Sequence, residues 1–483
     1  MASTAALTGR ADRWGYRPAT LQTVATVLFV AVAVSALGVA STRPPLVRAI
    51  FAVPATVLLL TVCLKSPRTS IMALIAWLAT FGTIRRLLLP SGGASGSDPL
   101  LLVSPVVVGL LVVAATRNGA FKNLTTLTRN VLVLSAVILL AALNPLQGGL
   151  AVGAGGLLFV LVPVLWFWIG RGLVDDGLLR RILQIVSYLA VGAAVYGLIQ
   201  VSWGFPRWDE RWIEAKGYAS LYVGQSVRPF ASFSSSSEYV GLLAIGVVIW
   251  VLRLRGSTRR LPAVAALTIL SWALVVASVR GALVVVPVAV GMTLAASRGF
   301  GFGRTALAGL GALLVLGVAV SFFDGARVSS ALISRQISGL ADPFDPDKST
   351  LPLHIEALVN GLGEGVRNPV GNGLGVITIA AERFGVGASL STDVDPSNVA
   401  VAMGIPGLLA YGAVVFVALR AAFGRARRRL DPLALAVLGV ALVTLFQWLS
   451  GGNYATAPLP WLLLGWLDRP RVTAPDEPAP LAA

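Results

Sequence analysis

Long apolar runs recur along this chain from Thr20 almost to its end. A helix of roughly 18 to 20 apolar residues is long enough to cross the hydrocarbon core of a lipid bilayer. About a quarter of the residues of a soluble domain are charged, whereas 12% are charged here and 56% are hydrophobic. The sequence therefore predicts an all-α, polytopic integral membrane protein with about 12–14 transmembrane helices.

The predicted spans are residues 21–40, 47–64, 71–84, 100–115, 131–143, 150–170, 182–201, 239–252, 261–279, 282–295, 306–322, 399–419, 433–449 and 457–466. Two of them, 71–84 and 457–466, are short enough to be re-entrant segments instead. The spans divide the chain into five parts. These are a cytoplasmic tail (1–20), a helix bundle (21–322) with an outer loop (202–238), a large extracytoplasmic loop with amphipathic helices (323–398), C-terminal transmembrane helices (399–468) and a cytoplasmic tail (469–483) of disorder-prone composition.

Basic residues predict the orientation, because loops that stay in the cytoplasm carry an excess of Lys and Arg. With alternating spans, one side receives the clusters within 10–17, 65–68, 117–129, 171–181, 253–260, 298–304, 420–431 and 469–471. We therefore expect a multi-pass protein of the cytoplasmic (inner) membrane with both termini in the cytoplasm. Arg85 and Arg86 break this pattern as an external pair, which indicates either a phosphate-attracting pair or a misplaced third helix.

The net charge of +17 is mostly this topology signal together with contact to anionic membrane lipids, and it implies no nucleic-acid partner. A single cysteine, Cys63, excludes a disulfide or a Cys-based metal site within one chain. We predict no metal site and no cofactor. The Asp393-x-Asp395 spacing is one that often arises by chance, although such a pair can also bind Mg²⁺ or Mn²⁺ with a diphosphate.

The only histidine, His354, lies in the second outer segment. Around it, Leu353, Ala357, Leu358 and Leu362 recur at helical spacing and predict an amphipathic helix against the membrane face. A glycine-rich turn follows at 369–375.

Three patches of the chain occur in the order found in one known family. They are "RPFASFSSSSEYVGLLA" (228–244), "ASVRGALVVV" (277–286), and a region that begins "STLPLHIEAL" (349–358) and continues with "NPVGNGLG" (368–375) and "SNVAVAMGIPGLLAYG" (397–412). Together they resemble the signature regions of the O-antigen ligase and polymerase superfamily. Many relatives have His-Asn or Glu-Asn where this chain has Ser397-Asn398, so a second base at that position is absent.

Proteins of that family move a glycan from an undecaprenyl diphosphate carrier to an acceptor on the outer face of the cytoplasmic membrane. The resemblance thus implies a metal-independent glycosyltransferase, and we favour a polysaccharide polymerase. Its partners would be an undecaprenyl-diphosphate-linked glycan donor, a glycan or lipid-linked acceptor and membrane lipids. Two alternatives stay open: a ligase that attaches glycan to a cell-wall or lipid acceptor, and a transporter or flippase for polysaccharide or lipid carrier.

Such a transfer needs fixed positive charge for the leaving diphosphate and a base for the acceptor hydroxyl. Arginine suits the first requirement because its guanidinium is always charged and grips phosphate oxygens in a bidentate way. Histidine is the usual general base. We therefore expect His354 and Arg280 to be catalytic. The predicted substrate-binding residues are Arg228, Arg335, Arg367, Glu238 and Asn398.

Overall fold

The computed structural model describes residues 44–88, 98–216, 222–223, 226–256, 260–323, 330–384, 389–392, 394–429, 431–449 and 453–470. The first predicted span, 21–40, and nearly all of the two predicted tails lie outside these residues. Within the described part, the protein is helical apart from one short antiparallel hairpin that pairs Tyr222 with Val227.

The first half of the structure contains seven α-helices, two short 3₁₀ turns and the hairpin. The helices are α1 (Pro44–Lys65), α2 (Pro67–Leu87), α3 (Val103–Arg117), α4 (Thr126–Ala142), α5 (Leu150–Leu173), α6 (Asp176–Ser202) and α7 (Arg207–Lys216). The 3₁₀ turns are Pro99–Leu102 and Pro145–Gln147, and the hairpin strands are β1 (Tyr222–Val223) and β2 (Ser226–Val227).

The second half contributes ten further helices and one 3₁₀ turn, Leu374–Ile377. The helices are α8 (Ser236–Gly256), α9 (Leu261–Val276), α10 (Arg280–Ala296), α11 (Phe302–Phe323), α12 (Ala331–Ala341), α13 (Leu351–Arg367), α14 (Ala380–Arg383), α15 (Asp395–Arg429), α16 (Pro432–Val443) and α17 (Pro458–Leu467).

By length and composition, seven helical segments in the described residues could each cross a membrane, and six shorter apolar helices accompany them. Every predicted span from 47–64 onward falls on one of these thirteen segments. The chain is therefore a polytopic helical membrane protein, as predicted.

Two predicted spans differ in length from the observed helices. The weak span 71–84 belongs to the 21-residue helix α2, which is long enough to cross a bilayer. Span 433–449 is too long, because α16 ends at Val443 after 12 residues and turns follow. At about 1.5 Å per residue, α16 and the 10-residue α17 are each shorter than the roughly 30 Å hydrocarbon core.

The centre of the bundle is built around α5 and α17, which approach each other at glycines. A Cβ at Gly170 would overlap the backbone oxygen of Leu462, and a Cβ at Gly465 would overlap that of Phe167. Small residues let membrane helices pack backbone to backbone, where dispersion replaces the missing hydrophobic force.

Two ion pairs join loops at the two faces of the helix bundle. On one face, Arg171 pairs with Asp468 at 3.0 Å. On the other, Arg86 pairs with Asp209 at 2.6 Å. Each pair joins segments that the predicted alternation assigns to the same side, so the contacts agree with that alternation. The assignment of the second face to the outside follows from the positive-inside rule.

The glycine-rich turn that follows α13 lies against the second face of the bundle. The amide of Asn144 donates to the backbone oxygen of Gly371 at 2.8 Å, and the Gly375 N–H donates to Gln147 at 3.0 Å. The turn also meets α15 at a kink, where Gly404 has φ +59°. Only glycine adopts this conformation readily, and a Cβ there would overlap the backbone of Pro369.

Cysteine labelling should establish which face is outside. We expect an impermeant thiol reagent, added to intact cells, to modify Ser338→Cys in α12 and to leave Asn118→Cys, in the exposed turn after α3, unmodified. The native Cys63 is buried and serves as the unreactive background. Labelling of the Asn118 variant but not the Ser338 variant would invert the assigned topology.

Candidate functional site

Three arginines from separate segments come together on the second face. Arg228 follows strand β2, Arg280 is the first residue of α10, and Arg335 belongs to α12. Burial lowers the pKa of Arg228, and the nearby charges of Arg335 and Arg280 lower it further. We call Arg228, Arg280 and Arg335 the arginine cluster; all three were predicted site residues.

The arginine cluster has no acidic counterpart in the described part of the chain, where no ion pair joins any of the three side chains to a carboxylate. Nε of Arg228 and Nη1 of Arg280 are both buried without a hydrogen-bond partner among the described residues. Like charges close together in a partly dehydrated place are costly unless an anion joins them. The arrangement therefore fits an anionic ligand.

A buried network anchors the loop that carries Arg228. The guanidinium of Arg86, fully buried with its partner Asp209, donates to the backbone oxygens of Ala231 and Phe233. From the opposite side, the Oε1 atom of Gln200 accepts from the Ala231 N–H at 2.8 Å. The loop is thus fixed three to five residues after Arg228, which limits the positions that the Arg228 side chain can reach.

Arg85 and Arg86, the pair that breaks the predicted charge pattern, both bind protein groups. Arg85 pairs with Asp98 at 2.6 Å and donates to the hydroxyl of Ser234 at 3.2 Å. Both arginines lie in the last turn of α2, where the helix dipole also favours positive charge. The predicted span 71–84 lies within α2. Protein groups bind both guanidinium groups, so the pair is not open to a phosphate.

The backbone before Arg280 is held by α12. Ser278 has the unusual φ of +54°, and its hydroxyl donates to the backbone oxygen of Leu332 at 3.3 Å. The amide of Gln336 donates to the backbone oxygen of Val275, also at 3.3 Å. These contacts tie the junction between α9 and α10 to one face of α12, so the helix that carries Arg335 also orients Arg280.

A cavity of about 340 Å³ opens between α12 and the start of α13. Arg335 lines it, so the cavity adjoins the arginine cluster. The nearby Lys348 is already engaged by Asp342 and Asp345, and the hydrogen bond to Asp342 raises the pKa of Lys348. The remaining lining residues are mostly hydroxyl-bearing or acidic: Ala331, Ser334, Ser338, Pro346, Asp347, Ser349 and Thr350.

His354 lies one turn beyond that cavity. Its side chain is exposed in the first part of α13. Its backbone N–H donates at 3.1 Å to the backbone oxygen of Thr350, a residue of the cavity wall. Helical spacing places it on the same face as Gly361 and Gly365. That face packs on α15, because a Cβ at either glycine would overlap α15 atoms. The backbone of His354 is therefore next to the cavity wall, and its side chain is exposed.

The helix predicted around His354 is present as α13, and the face that it packs on the protein differs from its apolar face. Leu353 is 59% exposed, whereas the closest contacts are made by Gly361 and Gly365 against Ser397 and Ala400. Small residues permit the nearest approach of two helices, and an apolar pattern does not reveal them.

Arg367 lies far from His354 along α13. It is exposed at the C-terminal end of that helix, thirteen residues after His354, which corresponds to about 20 Å along the axis. The prediction that Arg367 shares one substrate site with His354 has no support in this geometry.

Glu238 and Asn398, the other predicted substrate-binding residues, are buried and bond to backbone. The carboxylate of Glu238 accepts from the N–H groups of Ala455 at 2.9 Å and Ser234 at 3.3 Å. The side chain of Asn398 accepts from the N–H of Thr392 at 2.7 Å and donates to its oxygen at 3.0 Å. In the structure, their contacts hold loops in place.

The prediction lacked four residues that support the arginine cluster: Gln200, Asp209, Gln336, and Gly339, where a Cβ would overlap the guanidinium of Arg280. Gln200 had a usable signal, because a polar residue near the end of an apolar span usually marks a specific interaction. The other three lie in polar or amphipathic segments, where nothing in the local pattern distinguishes them.

In the described residues, no group of three or more His, Cys, Asp or Glu side chains is arranged to hold a metal ion. Asp393 lies outside those residues. Its companion Asp395 accepts hydrogen bonds from the hydroxyl of Tyr411 at 2.6 Å and the N–H of Leu449 at 2.9 Å, so this carboxylate supports the fold.

Comparison with known proteins adds no identification. Neither the protein-family models nor the curated proteins include a match to this chain. The geometry of the site and the three sequence patches are therefore the guides to function.

Proposed function

We propose that this protein is a membrane glycosyltransferase that moves a glycan from an undecaprenyl diphosphate carrier to an acceptor hydroxyl outside the cytoplasmic membrane. One observation carries the proposal: Arg228, Arg280 and Arg335 converge, and buried guanidinium atoms of the first two lack partners in the described part of the chain. A diphosphate offers several anionic oxygens to such a cluster, and each guanidinium can bind two of them.

The depth of the cluster favours a lipid-linked diphosphate. Arg280 is the first residue of the apolar helix α10, so its guanidinium lies at the end of an apolar segment. The phosphates of a lipid carrier lie at this depth, with the acyl part in the hydrocarbon next to α10. A charged residue at such a position is expensive unless it meets an anionic partner.

The cavity beside the cluster suits the sugar that the diphosphate carries. Its volume of about 340 Å³ is in the range of small-molecule sites. The hydroxyls of Ser334, Ser338 and Thr350 and the carboxylate of Asp347 line it. Such groups both donate to and accept from sugar hydroxyls, and Arg335 connects this wall to the diphosphate.

The proposed reaction needs one proton transfer and one bond exchange. The acceptor oxygen forms a bond to the anomeric carbon of the donor sugar, while the bond from that carbon to the phosphate oxygen breaks. His354 takes the proton from the acceptor hydroxyl, and undecaprenyl diphosphate leaves with the electron pair. The arginine cluster stabilises the negative charge that grows on this leaving group.

We propose polymerase as the specific activity, with another carrier-linked glycan as the acceptor. Deleting the gene should remove the long polysaccharide and cause single repeats to accumulate on the carrier, as gel analysis of chain length and mass spectrometry of extracted lipids would measure. Intact polymer that remains on its carrier would contradict the polymerase assignment and support ligation to a cell-wall or lipid acceptor.

A further inference from the structure

We infer that Gly339 is a positioning residue for Arg280: the missing side chain at this point of α12 forms a seat on which the guanidinium lies. The inference rests on the proposed function, because it assigns the seat to the binding of a diphosphate. It concerns a residue that contacts Arg280 rather than the substrate.

The geometry of the seat is direct. A Cβ atom added to Gly339 would overlap Nη1 and Cζ of Arg280 and would lie 2.6 Å from its Nε. Three guanidinium atoms are thus in the space that any other residue would fill. The side chain of Arg280 can keep this orientation only while position 339 is glycine.

The helix itself gives no reason for a glycine at this position. Gly339 is the ninth of the eleven residues of α12 and is not among the glycines with positive φ. In a helix interior glycine is less favourable than alanine. The three atoms nearest to a Cβ at this position all belong to the guanidinium of Arg280, which explains the glycine.

Two further contacts fix the seat relative to α10. Leu332, Gln336 and Gly339 share one buried face of α12. The first two bind the α9–α10 junction through Ser278 and Val275, as described above. Because the junction and the guanidinium are held by the same helix face, the direction of Arg280 toward Arg228 and Arg335 is set before any ligand binds.

Gly339→Ala should therefore leave the charge of Arg280 in place but move its guanidinium. A bidentate grip depends on the plane and direction of the guanidinium, and a displacement of about 1 Å in a reacting site can cost about 100-fold in rate. We expect a loss of roughly that size in kcat/KM for the lipid-linked donor and a lower affinity for inorganic pyrophosphate.

A double-mutant cycle tests the coupling. The wild type, Gly339→Ala, Arg280→Ala and the double variant are purified in lipid nanodiscs, and their affinity for inorganic pyrophosphate is measured by calorimetry. We expect Gly339→Ala to weaken binding at least about tenfold in the wild type and to have no further effect once Arg280 is alanine. A purely structural role of Gly339 would give the same loss in both backgrounds and would overturn the inference.

Gly363→Ala is the matched control, because Gly363 is also a helical glycine but a Cβ there would meet nothing within 4 Å. It should leave both pyrophosphate binding and donor turnover unchanged.

If Gly339→Ala alone fails to fold, the double variant should fold again, since removal of the guanidinium frees the space. Failure of the double variant as well would overturn the inference.

The outcomes for the seat and for the proposed function can be separated. If the double-mutant cycle shows coupling but the wild type transfers no glycan, the role of Gly339 stands and the transferase function is wrong. If the wild type transfers glycan but Gly339→Ala binds pyrophosphate as tightly as the wild type, the transferase function stands and the role of Gly339 is wrong.

Discussion

Replacing Arg280 with alanine is expected to lower glycan transfer by about 10²- to 10³-fold, the range found when one group that stabilises developing charge is removed. The leaving diphosphate gains charge as its bond to the sugar breaks, so the loss should appear in kcat and in kcat/KM together. Release of undecaprenyl diphosphate by purified protein in lipid measures both. Folding should survive, because Arg280 forms no ion pair in the described residues.

Arg280→Lys should be nearly as inactive, since an ammonium cannot reproduce the planar, bidentate grip. Arg207→Ala is the matched control: Arg207 is an exposed arginine at the start of α7, on the same face, and its loss should have no effect. Full activity of the lysine variant would show that charge alone is enough and would contradict a positioned guanidinium.

His354→Ala is expected to reduce turnover by about 10²- to 10⁴-fold, the usual contribution of a general base. The donor should still bind with nearly normal affinity, because the arginine cluster that holds its diphosphate is intact. A turnover assay together with donor-binding titration separates the two quantities. His354→Gln should be equally slow, since glutamine keeps a polar side chain but cannot take the proton.

Asn360→Ala provides the comparison for His354, because Asn360 is exposed on the same helix but faces another direction. Its turnover should equal that of the wild type. If His354→Ala retains more than about a tenth of the normal rate, the role of His354 as the base is wrong, and the proton must leave by another route.

The helices were predictable because each apolar run must satisfy its backbone within one segment. This rule located α1 and α5 well, since nothing but the length of the apolar run was needed. It failed at 444–449, where apolar residues continue but the chain turns: the N–H of Trp448 and that of Leu449 bond to the carboxylate of Asp395. A carboxylate about fifty residues away replaces the helical partners there.

The arginine cluster was predictable only as separate candidates. Arg228, Arg280 and Arg335 are each about fifty residues from the next. The sequence pattern indicates each arginine as a candidate, and it does not indicate that the three are close in space. Their convergence depends on contacts of α12 with the α9–α10 junction. Arg367 was an equally plausible candidate in the sequence, and the rigid length of α13 is what separates it from His354.

The supporting residues were the least predictable. The pair formed by Arg86 and Asp209 crosses from the end of α2 to α7, and the Gly339 contact depends on the direction of a single side chain. Such contacts produce no periodic pattern in the sequence. A periodic pattern shows which face of a helix or strand is apolar, and it does not show which polar group lies opposite that face.

In the proposed function, the arginine cluster binds a lipid diphosphate and glycan transfer needs no metal. The most direct measurement follows purified wild-type protein in lipid, given an undecaprenyl-diphosphate-linked glycan in the presence of EDTA. We expect steady release of undecaprenyl diphosphate and growth of the glycan, and we expect both to be lost in Arg280→Ala. A donor that stays intact, or a rate that EDTA abolishes and Mg²⁺ or Mn²⁺ restores, would contradict it.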